Sequence, residues 1–150
     1  MTESFKEVAW ELGETSRVVR RYFNRQAAVL GATSSQWRAM FRLSREPGMK
    51  QVELAERLDV EPITAGRIID RLEEAGLVER RRDPVDRRIW RLHLTESAEP
   101  LIERLKLLAE ECLAGAMEGI GKDEIAQLRA TLGKIRENMS AIEGAERKSA

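Results

Sequence analysis

Apolar residues recur every three or four positions over six stretches of this chain, a pattern typical of amphipathic helices. The predicted helices cover about residues 5–30, 33–46, 51–58, 62–75, 97–120 and 125–142. Local signals support three of their ends. Thr33 and Gln36 form a capping box, Pro62 suits the first position of a helix, and Gly76 suits a helix C-terminus.

Between the fourth and fifth helices, apolar and polar residues alternate, as in a β-strand with one buried face. Leu77–Arg82 and Arg88–Leu94 are the two alternating segments, and Asp83–Asp86 interrupts them. Two short helices joined by a tight turn and followed by a β-hairpin predict a winged helix-turn-helix. We therefore expect a mainly α fold of about six helices plus a hairpin, which we call the wing.

The apolar faces also predict which residues form the core. In the third helix, Val52, Ala55 and Leu58 are expected to face inward. In the fourth helix the expected inward residues are Ala65, Ile68, Ile69, Leu72 and Ala75. Thr64, Arg67, Arg71 and Glu74 lie on the opposite, outer face of that helix.

The last helix carries an apolar seam in steps of three and four, and such a seam needs a partner. We predict that it forms a dimer interface through Ile125, Leu128, Leu132, Ile135 and Met139. The chain is then one domain, in which residues 1–32 and 96–142 supply dimerisation helices and residues 33–95 form the winged helix-turn-helix. Residues 143–150 are predicted to be a frayed tail.

Composition excludes several classes of protein. The 26 basic residues balance 26 acidic ones, and 35% charged with 42% hydrophobic residues describes a soluble globular chain. No apolar run reaches the ~20 residues of a membrane span and the first residues lack a secretory leader, so we expect a cytoplasmic protein with no membrane partner. With one cysteine and one histidine, we expect neither a metal nor another cofactor.

Local charge indicates a surface for an anionic partner. Arginine outnumbers lysine 20 to 6, and arginine suits planar contacts with phosphates and base edges. Residues 80–91 hold six arginines and two aspartates, a net charge of +4. On a hairpin alone such a run is usually a solvated strand edge, but its position directly after a helix-turn-helix favours DNA binding.

Two motifs carry a resemblance to a known family. The pattern D-x-R-x-x-x-L-x-L-T runs from Asp86 to Thr95, and R-L-E-E-A-G-L-V-E-R precedes it at Arg71–Arg80. The chain resembles the MarR family of dimeric winged-helix transcription regulators over residues 33–102, and by helix layout through residue 142. The stretch LTESAEPLI at Leu94–Ile102, together with Trp37, is most similar to the SlyA-like branch.

The resemblance implies double-stranded DNA as the partner of a homodimer. It implies that the second helix of the helix-turn-helix enters the major groove of a pseudo-palindromic operator and that the wing reaches the minor groove. In this sequence the implied DNA-binding residues are Pro62, Ile63, Thr64, Arg67, Arg71, Arg80, Arg81, Arg82, Asp86, Arg87 and Arg88. Arg88 would enter the minor groove, oriented by Asp86, and Arg67 would read guanine.

The resemblance also implies a small-molecule effector that releases the DNA, expected to be a small aromatic carboxylate or phenolic compound. The residues that we expect to line its pocket are Trp10, Arg17, Trp37, Arg38, Met40 and Phe41. Ordinary core packing is the alternative interpretation of these aromatic residues. A repressor is expected.

Two other functions stay open at this point. One is a winged-helix protein–protein interaction module without DNA binding, which Arg67, Arg87 and Arg88 argue against. The other is a redox-sensing regulator through Cys112, although its place on an apolar stripe favours a buried structural thiol. An enzyme is not expected, because no motif accompanies the single histidine and cysteine. Gly66, inside the fourth helix, either permits close approach to DNA or is merely tolerated.

Overall fold

The structure, a computed structural model, describes residues 2–149, which form six α-helices and two β-strands. In chain order these are α1 (Thr2–Val29), α2 (Ser34–Arg45), α3 (Gln51–Leu58), α4 (Pro62–Glu74), β1 (Val78–Arg82), β2 (Trp90–Leu94), α5 (Glu99–Ala116) and α6 (Lys122–Ser149). A 3₁₀ turn at Glu96–Ala98 precedes α5. The predicted mainly α fold with a helix-turn-helix and a hairpin wing is confirmed.

The helix starts predicted from the local signals at Thr33 and Pro62 agree with the structure, whereas α6 begins at Lys122 rather than at residue 125. Thr33 accepts the backbone N–H of Gln36, whose side chain accepts the N–H of Thr33, so the capping box is formed. Pro62 is at the start of α4. Between α3 and α4, Asp59 takes a left-handed φ of 55° and its N–H donates to carbonyls of the last turn of α3. That sharp turn lets two short helices follow each other closely.

The core lies among α2, α3, α4, the hairpin, the end of α1 and the first half of α5. Its largest fully buried side chains are Met40, Leu43, Leu54, Ile69, Leu72, Val78, Leu92 and Leu105. Two core predictions were wrong. Val52 is 51% exposed while Leu54 is fully buried, because α3 buries the face of Leu54, Ala55 and Leu58. Ala75 is exposed because α4 ends at Glu74.

β1 and β2 form a two-stranded antiparallel hairpin in which Val78 pairs with Leu94 and Arg82 with Trp90. β2 begins at Trp90 rather than at the predicted Arg88, because residues 83–89 form the turn. A single bridge pairs Met49 with Leu92 on the other side of β2. The base of the wing is therefore attached to the segment that connects α2 and α3.

The chain divides into two compact units, one ending at Leu113 and one beginning at Ala114. α5 ends at Ala116 rather than near residue 120, and Gly119 turns the chain with a φ of +81°. The predicted frayed tail was wrong, since α6 continues to Ser149. Residues 143–149 contain mostly Ala, Glu, Arg and Lys, which are good helix formers.

Within residues 2–149, no helix combines the length and apolar character that crossing a membrane requires.

Candidate nucleic-acid interface

The outer face of α4 presents the residues that were predicted to read DNA. Because α4 buries Ala65, Ile68, Ile69 and Leu72, the residues between them point to solvent. The exposed residues on this side are Pro62, Ile63, Thr64, Arg67 and Arg71. Ile63 is 72% exposed, which is unusual for an isoleucine on a helix that contributes to a core.

Gly66 has a packing role at the crossing of α3 and α4. A Cβ atom at this position would lie 3.0 Å from Nε2 of Gln51, which is tighter than ordinary contact. That amide of Gln51 donates to the carbonyl of Pro62 at 3.4 Å. Gly66 therefore gives the Gln51 side chain room to link α3 to the start of α4.

A partly buried ion pair lies where β1 enters the turn of the wing. Asp83, only 8% exposed, accepts Nε of Arg91 at 2.7 Å and the backbone N–H groups of Val85 and Asp86 at 2.8 and 2.9 Å. These hydrogen bonds, the one from Asp86 first, lower the pKa of Asp83 from 3.8 to about 2. Arg91 also donates to the carbonyl of Gly48 at 3.2 Å. Asp83 thus shapes the turn while Arg91 connects the wing to the α2–α3 segment.

The tip of the wing carries Asp86 and Arg88. Asp86 accepts the backbone N–H and two guanidinium nitrogens of Arg88, each at 3.1 Å. The hydrogen bonds from Arg88 lower the pKa of Asp86, and the side-chain bond raises that of Arg88. The Arg88 side chain is 91% exposed. Asp86 therefore holds the guanidinium in one orientation while leaving it open to solvent.

The arginines of β1 have three different environments. Arg80 is half-buried and binds Asp70 at 2.7 Å and Glu73 at 3.1 Å, both on α4. Arg81 pairs with Glu79, and Arg82 lies over the Trp90 ring with its guanidinium carbon 3.8 Å from the ring centroid. Arg80 was predicted to meet phosphate, but its guanidinium is engaged within the protein and links β1 to α4.

Arg82 also donates to the carbonyl of Arg87 at 2.6 Å, across the turn of the wing. The side chains of Arg81, Arg82 and Arg87 are exposed. Their cationic groups therefore remain on the surface near Arg88, even where one of their nitrogens has a partner.

The residues predicted to line an effector pocket are only partly brought together. Trp37, Arg38 and Phe41 line a cavity of about 690 Å³ among α1, α2, α3 and α5. Met40 is fully buried in the core instead. Trp10 is 70% exposed on α1, and Arg17 pairs with Glu14 on the surface at 2.7 Å, so neither lines this cavity.

Sequence reasoning missed most of the basic side chains at this cavity, which are Arg20, Arg42, Arg45, Arg57 and Lys106. One signal was available, because Arg38, Arg42 and Arg45 are spaced by four and three residues and so share one face of α2. The others come from three further helices, and helical periodicity does not reveal which helices face each other.

Aromatic packing supports the wall of this cavity. The Trp37 ring meets Phe23 edge to face at a centroid distance of 4.7 Å and Phe41 at 5.6 Å. The indole N–H of Trp37 donates to Asn24 at 2.8 Å. α1 and α2 are thereby joined through Trp37, which also lines the cavity.

Cys112 is half-buried and free, and it lines a second cavity of about 460 Å³. The thiol that was predicted to be buried is therefore only partly buried, because the apolar stripe of α5 borders a cavity at this position. Among the described residues, no group of three or more His, Cys, Asp and Glu side chains is placed to hold a metal ion.

The predicted interface residues of α6 lie on its surface. Leu128 and Met139 are 45% and 51% exposed, and Ile125, Leu132 and Ile135 are half-buried. None of the described residues of α6 is buried. Within the described part of the unit that begins at Ala114, this apolar seam is therefore not covered.

Comparison with known proteins gives consistent findings. The sequence pattern of the MarR family matches residues 32–90. The crystal structure of MarR is 31% identical, with a TM-score of 0.76 over 89% of this chain and 90% of that protein. The transcriptional regulator SlyA is 29% identical, with a TM-score of 0.77 over 89% of this chain and 94% of SlyA.

Two further similar structures contain ligands. A MarR family regulator from Listeria monocytogenes, complexed with a 26-mer DNA, is 25% identical with a TM-score of 0.79 over 89% of each chain. CouR from Rhodococcus jostii RHA1, bound to p-coumaroyl-CoA, is 26% identical with a TM-score of 0.76 over 85% of this chain and 90% of CouR.

Proposed function

Because this chain belongs to the MarR family of DNA-binding transcription regulators, we propose that it is a homodimeric repressor of a pseudo-palindromic operator. The observation that carries the proposal is the exposed Arg88, held by Asp86 at the wing tip of a domain whose α4 also presents an exposed reading face. The DNA complex of the similar Listeria protein supports it. We assign this chain no catalytic role and expect it to act in the cytoplasm.

In this proposal the first turns of α4 enter the major groove. The exposed Ile63 suits contact with a thymine methyl group, and Thr64 suits a hydrogen bond to a base edge. Arg67, one turn further along, can donate two hydrogen bonds to O6 and N7 of guanine. Pro62 lies beside them at the helix start, and Arg71 is placed to meet the DNA backbone.

The wing supplies the second set of contacts. Arg88 enters the minor groove, where a flat, weakly hydrated guanidinium is favoured by the negative potential. Arg81, Arg82 and Arg87 meet phosphates, which adds affinity but little sequence information. Asp86 acts by fixing the direction of Arg88.

Dimerisation follows from exposed apolar faces on α1 and α6, which water disfavours. A second copy of the chain covers these faces, and the two-fold axis presents both copies of α4 to one side of the duplex. The half-sites of the operator are then centred about one helical turn apart.

Selection from a random duplex library identifies an operator, and gel shifts at several salt concentrations then test the contacts. Arg88→Ala is expected to weaken binding severely, whereas the matched wing variant Arg81→Ala mainly reduces the salt dependence. Operator affinity that is unchanged in Arg88→Ala would contradict the proposed wing contact.

Arg67→Ala tests direct reading by α4. Loss of a bidentate contact with guanine costs about 1–3 kcal/mol and relaxes the preference at one base pair of each half-site. Equal weakening on every operator variant would identify Arg67 as a phosphate contact instead.

We further propose that a small aromatic or phenolic effector, such as an aromatic carboxylate, releases the operator from the cavity that contains Trp37, Arg38 and Phe41. The ligand bound to the similar CouR supports this role. Release requires the effector to bind the DNA-incompetent arrangement more tightly than the competent one. Operator release by millimolar salicylate, absent in Arg38→Gln, is the expected result. No release by any aromatic acid would contradict it.

Redox sensing is a second candidate, because the half-buried thiol of Cys112 borders a cavity. We expect no release by mild peroxide, since the chain has no second cysteine to form a disulfide within one subunit. Peroxide release in the wild type that disappears in Cys112→Ser would establish the redox role.

A further inference from the structure

The 690 Å³ cavity, here called the cationic cavity, has an unusual concentration of positive charge. One acidic residue, Glu110, lines it together with six basic ones. The basic residues are Arg20, Arg38, Arg42, Arg45, Arg57 and Lys106. All of these residues belong to the unit that ends at Leu113. A single carboxylate ligand would leave most of this charge uncompensated.

Much of the charge is also uncompensated by the protein. Lys106 pairs with Glu103 and Arg57 with Glu46. Among the residues whose side chains the structure describes, no carboxylate oxygen lies within 4.0 Å of the guanidinium groups of Arg20, Arg38, Arg42 and Arg45.

Arg38 is the half-buried member of this group of arginines. Its Nη2 donates to the carbonyl of Leu58 at 2.9 Å. Burial lowers the pKa of Arg38, repulsion from Arg20 and Arg42 lowers it further, and Asp59 opposes this change. A bound anion would reduce the repulsion among these cations.

The cationic cavity shares a wall with the 460 Å³ cavity, here called the apolar cavity. Trp37, Phe41 and Leu113 are among the residues that line both. The apolar cavity extends from this wall past Val19, Phe23 and Cys112. The two cavities thus place an apolar surface directly beside a cluster of arginines.

We propose that the two cavities together bind an amphipathic anion with a phosphate-type group of at least two negative charges. Its aromatic or alkyl part occupies the apolar cavity, and its phosphate lies among the arginines of the cationic cavity. Guanidinium groups bind phosphate through paired, charge-assisted hydrogen bonds, which suits this site better than a single carboxylate. The inference rests on the effector role proposed above, and it assigns the effector a phosphate-type group in place of a carboxylate.

Calorimetric titration of the full chain tests the inference with three probes, 1-naphthyl phosphate, 1-naphthoate and inorganic phosphate. The first is expected to bind about ten-fold more tightly than either of the others, because only it fills both cavities with matched chemistry. Its affinity is also expected to fall with added salt. Equal binding of naphthoate and naphthyl phosphate would overturn the inference.

Substitutions of single arginines test which cations bind the phosphate group. Arg42→Gln and Arg45→Gln each remove an exposed cation from the cationic cavity and are expected to weaken binding of naphthyl phosphate about ten-fold. Arg17→Gln is the matched control, because Arg17 is exposed on α1 and lines neither cavity. An equal loss in Arg17→Gln, or no loss in both cavity variants, would overturn the inference.

Operator release, measured in parallel on the selected duplex, separates this inference from the proposed function. Preference for naphthyl phosphate without release of DNA supports the inference and contradicts the effector role. Release by naphthoate without any preference for the phosphate contradicts the inference and leaves the effector role supported.

Discussion

The winged region and the two terminal helices bury their apolar residues to very different extents. From Ala32 to Leu105 the core side chains are almost fully buried, and Leu54, Ile69 and Leu72 are inaccessible to solvent. The exposed apolar residues on α1 and α6 include Phe5, Val8, Trp10, Leu12, Leu128, Met139 and Ile142. The winged region therefore contains its own source of stability, whereas the proposed dimer would cover the apolar residues of the terminal helices.

Replacing both Leu132 and Ile135 by Asp should have the largest effect on the molecule, because it changes the apolar seam of α6 that is proposed to form the dimer interface. If the α6 seam is a dimer interface, the double variant buries unpaired charge there, at a cost on the order of several kcal/mol. Sedimentation velocity should then show a monomer, while near-ultraviolet circular dichroism shows that the winged core remains folded.

Ala130→Asp is the control, because Ala130 lies on the opposite side of α6 and is exposed. It should sediment like the wild type. A Leu132/Ile135 double variant that still sediments as a dimer would place the interface elsewhere.

Arg80→Ala tests the winged region itself. The substitution removes the ion pairs that join β1 to Asp70 and Glu73, and it should lower the free energy of unfolding by about 1–2 kcal/mol, since both carboxylates are partly exposed. Arg81→Ala, whose partner Glu79 is on the same strand, should change it by less than about 0.5 kcal/mol. Urea unfolding at neutral pH gives both values, and equal effects would refute the link between β1 and α4.

Gly66→Ala should change the free energy of unfolding by a smaller amount. The sign of this change depends on the Gln51 side chain. Alanine favours a helix by about 1 kcal/mol over glycine, but its Cβ displaces the Gln51 amide. The gain should therefore be larger in a Gln51→Ala background, with a coupling of about 0.5–1 kcal/mol in a double-mutant cycle. Strict additivity would show that Gln51 does not restrict position 66.

Asp83 should stabilise the fold at neutral pH and lose this contribution only in acid. Its pKa is lowered from 3.8 to about 2 in the folded chain, so its contribution is complete above the unfolded value and is lost as the pH falls toward 2. The difference in free energy of unfolding between wild type and Asp83→Asn should be constant near neutral pH and shrink below about pH 4. A difference that grows in acid would contradict the assignment.

Most of the fold could be predicted because the helices are regular and their ends carry local signals. The capping box at Thr33 and the proline at position 62 each fix a helix start through contacts within a few residues. The errors came where the signal was ambiguous. Val52 and Leu54 both fit a helical period with Leu58 or Ala55, and only the packing of α3 decides between them.

The parts of the candidate site that lie on a single helix or on the hairpin could be predicted from the sequence. The exposure of Arg67 follows from the inward face of α4, and the motif around Arg88 assigned that residue to the wing, although at the start of the second strand rather than in the turn. The cationic cavity was mostly missed because Arg20, Arg57 and Lys106 come from three helices far apart in sequence. The ion pairs of Arg80 with α4 could not be predicted either, because a run of arginines does not indicate which of them lies close to carboxylates in the folded chain.

The bridge between Met49 and Leu92 has a consequence for the entropy of DNA binding. A lone two-stranded hairpin is marginally stable in water, but here β2 has a backbone partner on each side, with Gly48 N–H to Leu92 O and Leu92 N–H to Met49 O both at 2.9 Å. Ordering a residue costs about 1–2 kcal/mol of conformational entropy. Because the strands are already fixed in the free protein, that cost does not fall on the complex with DNA.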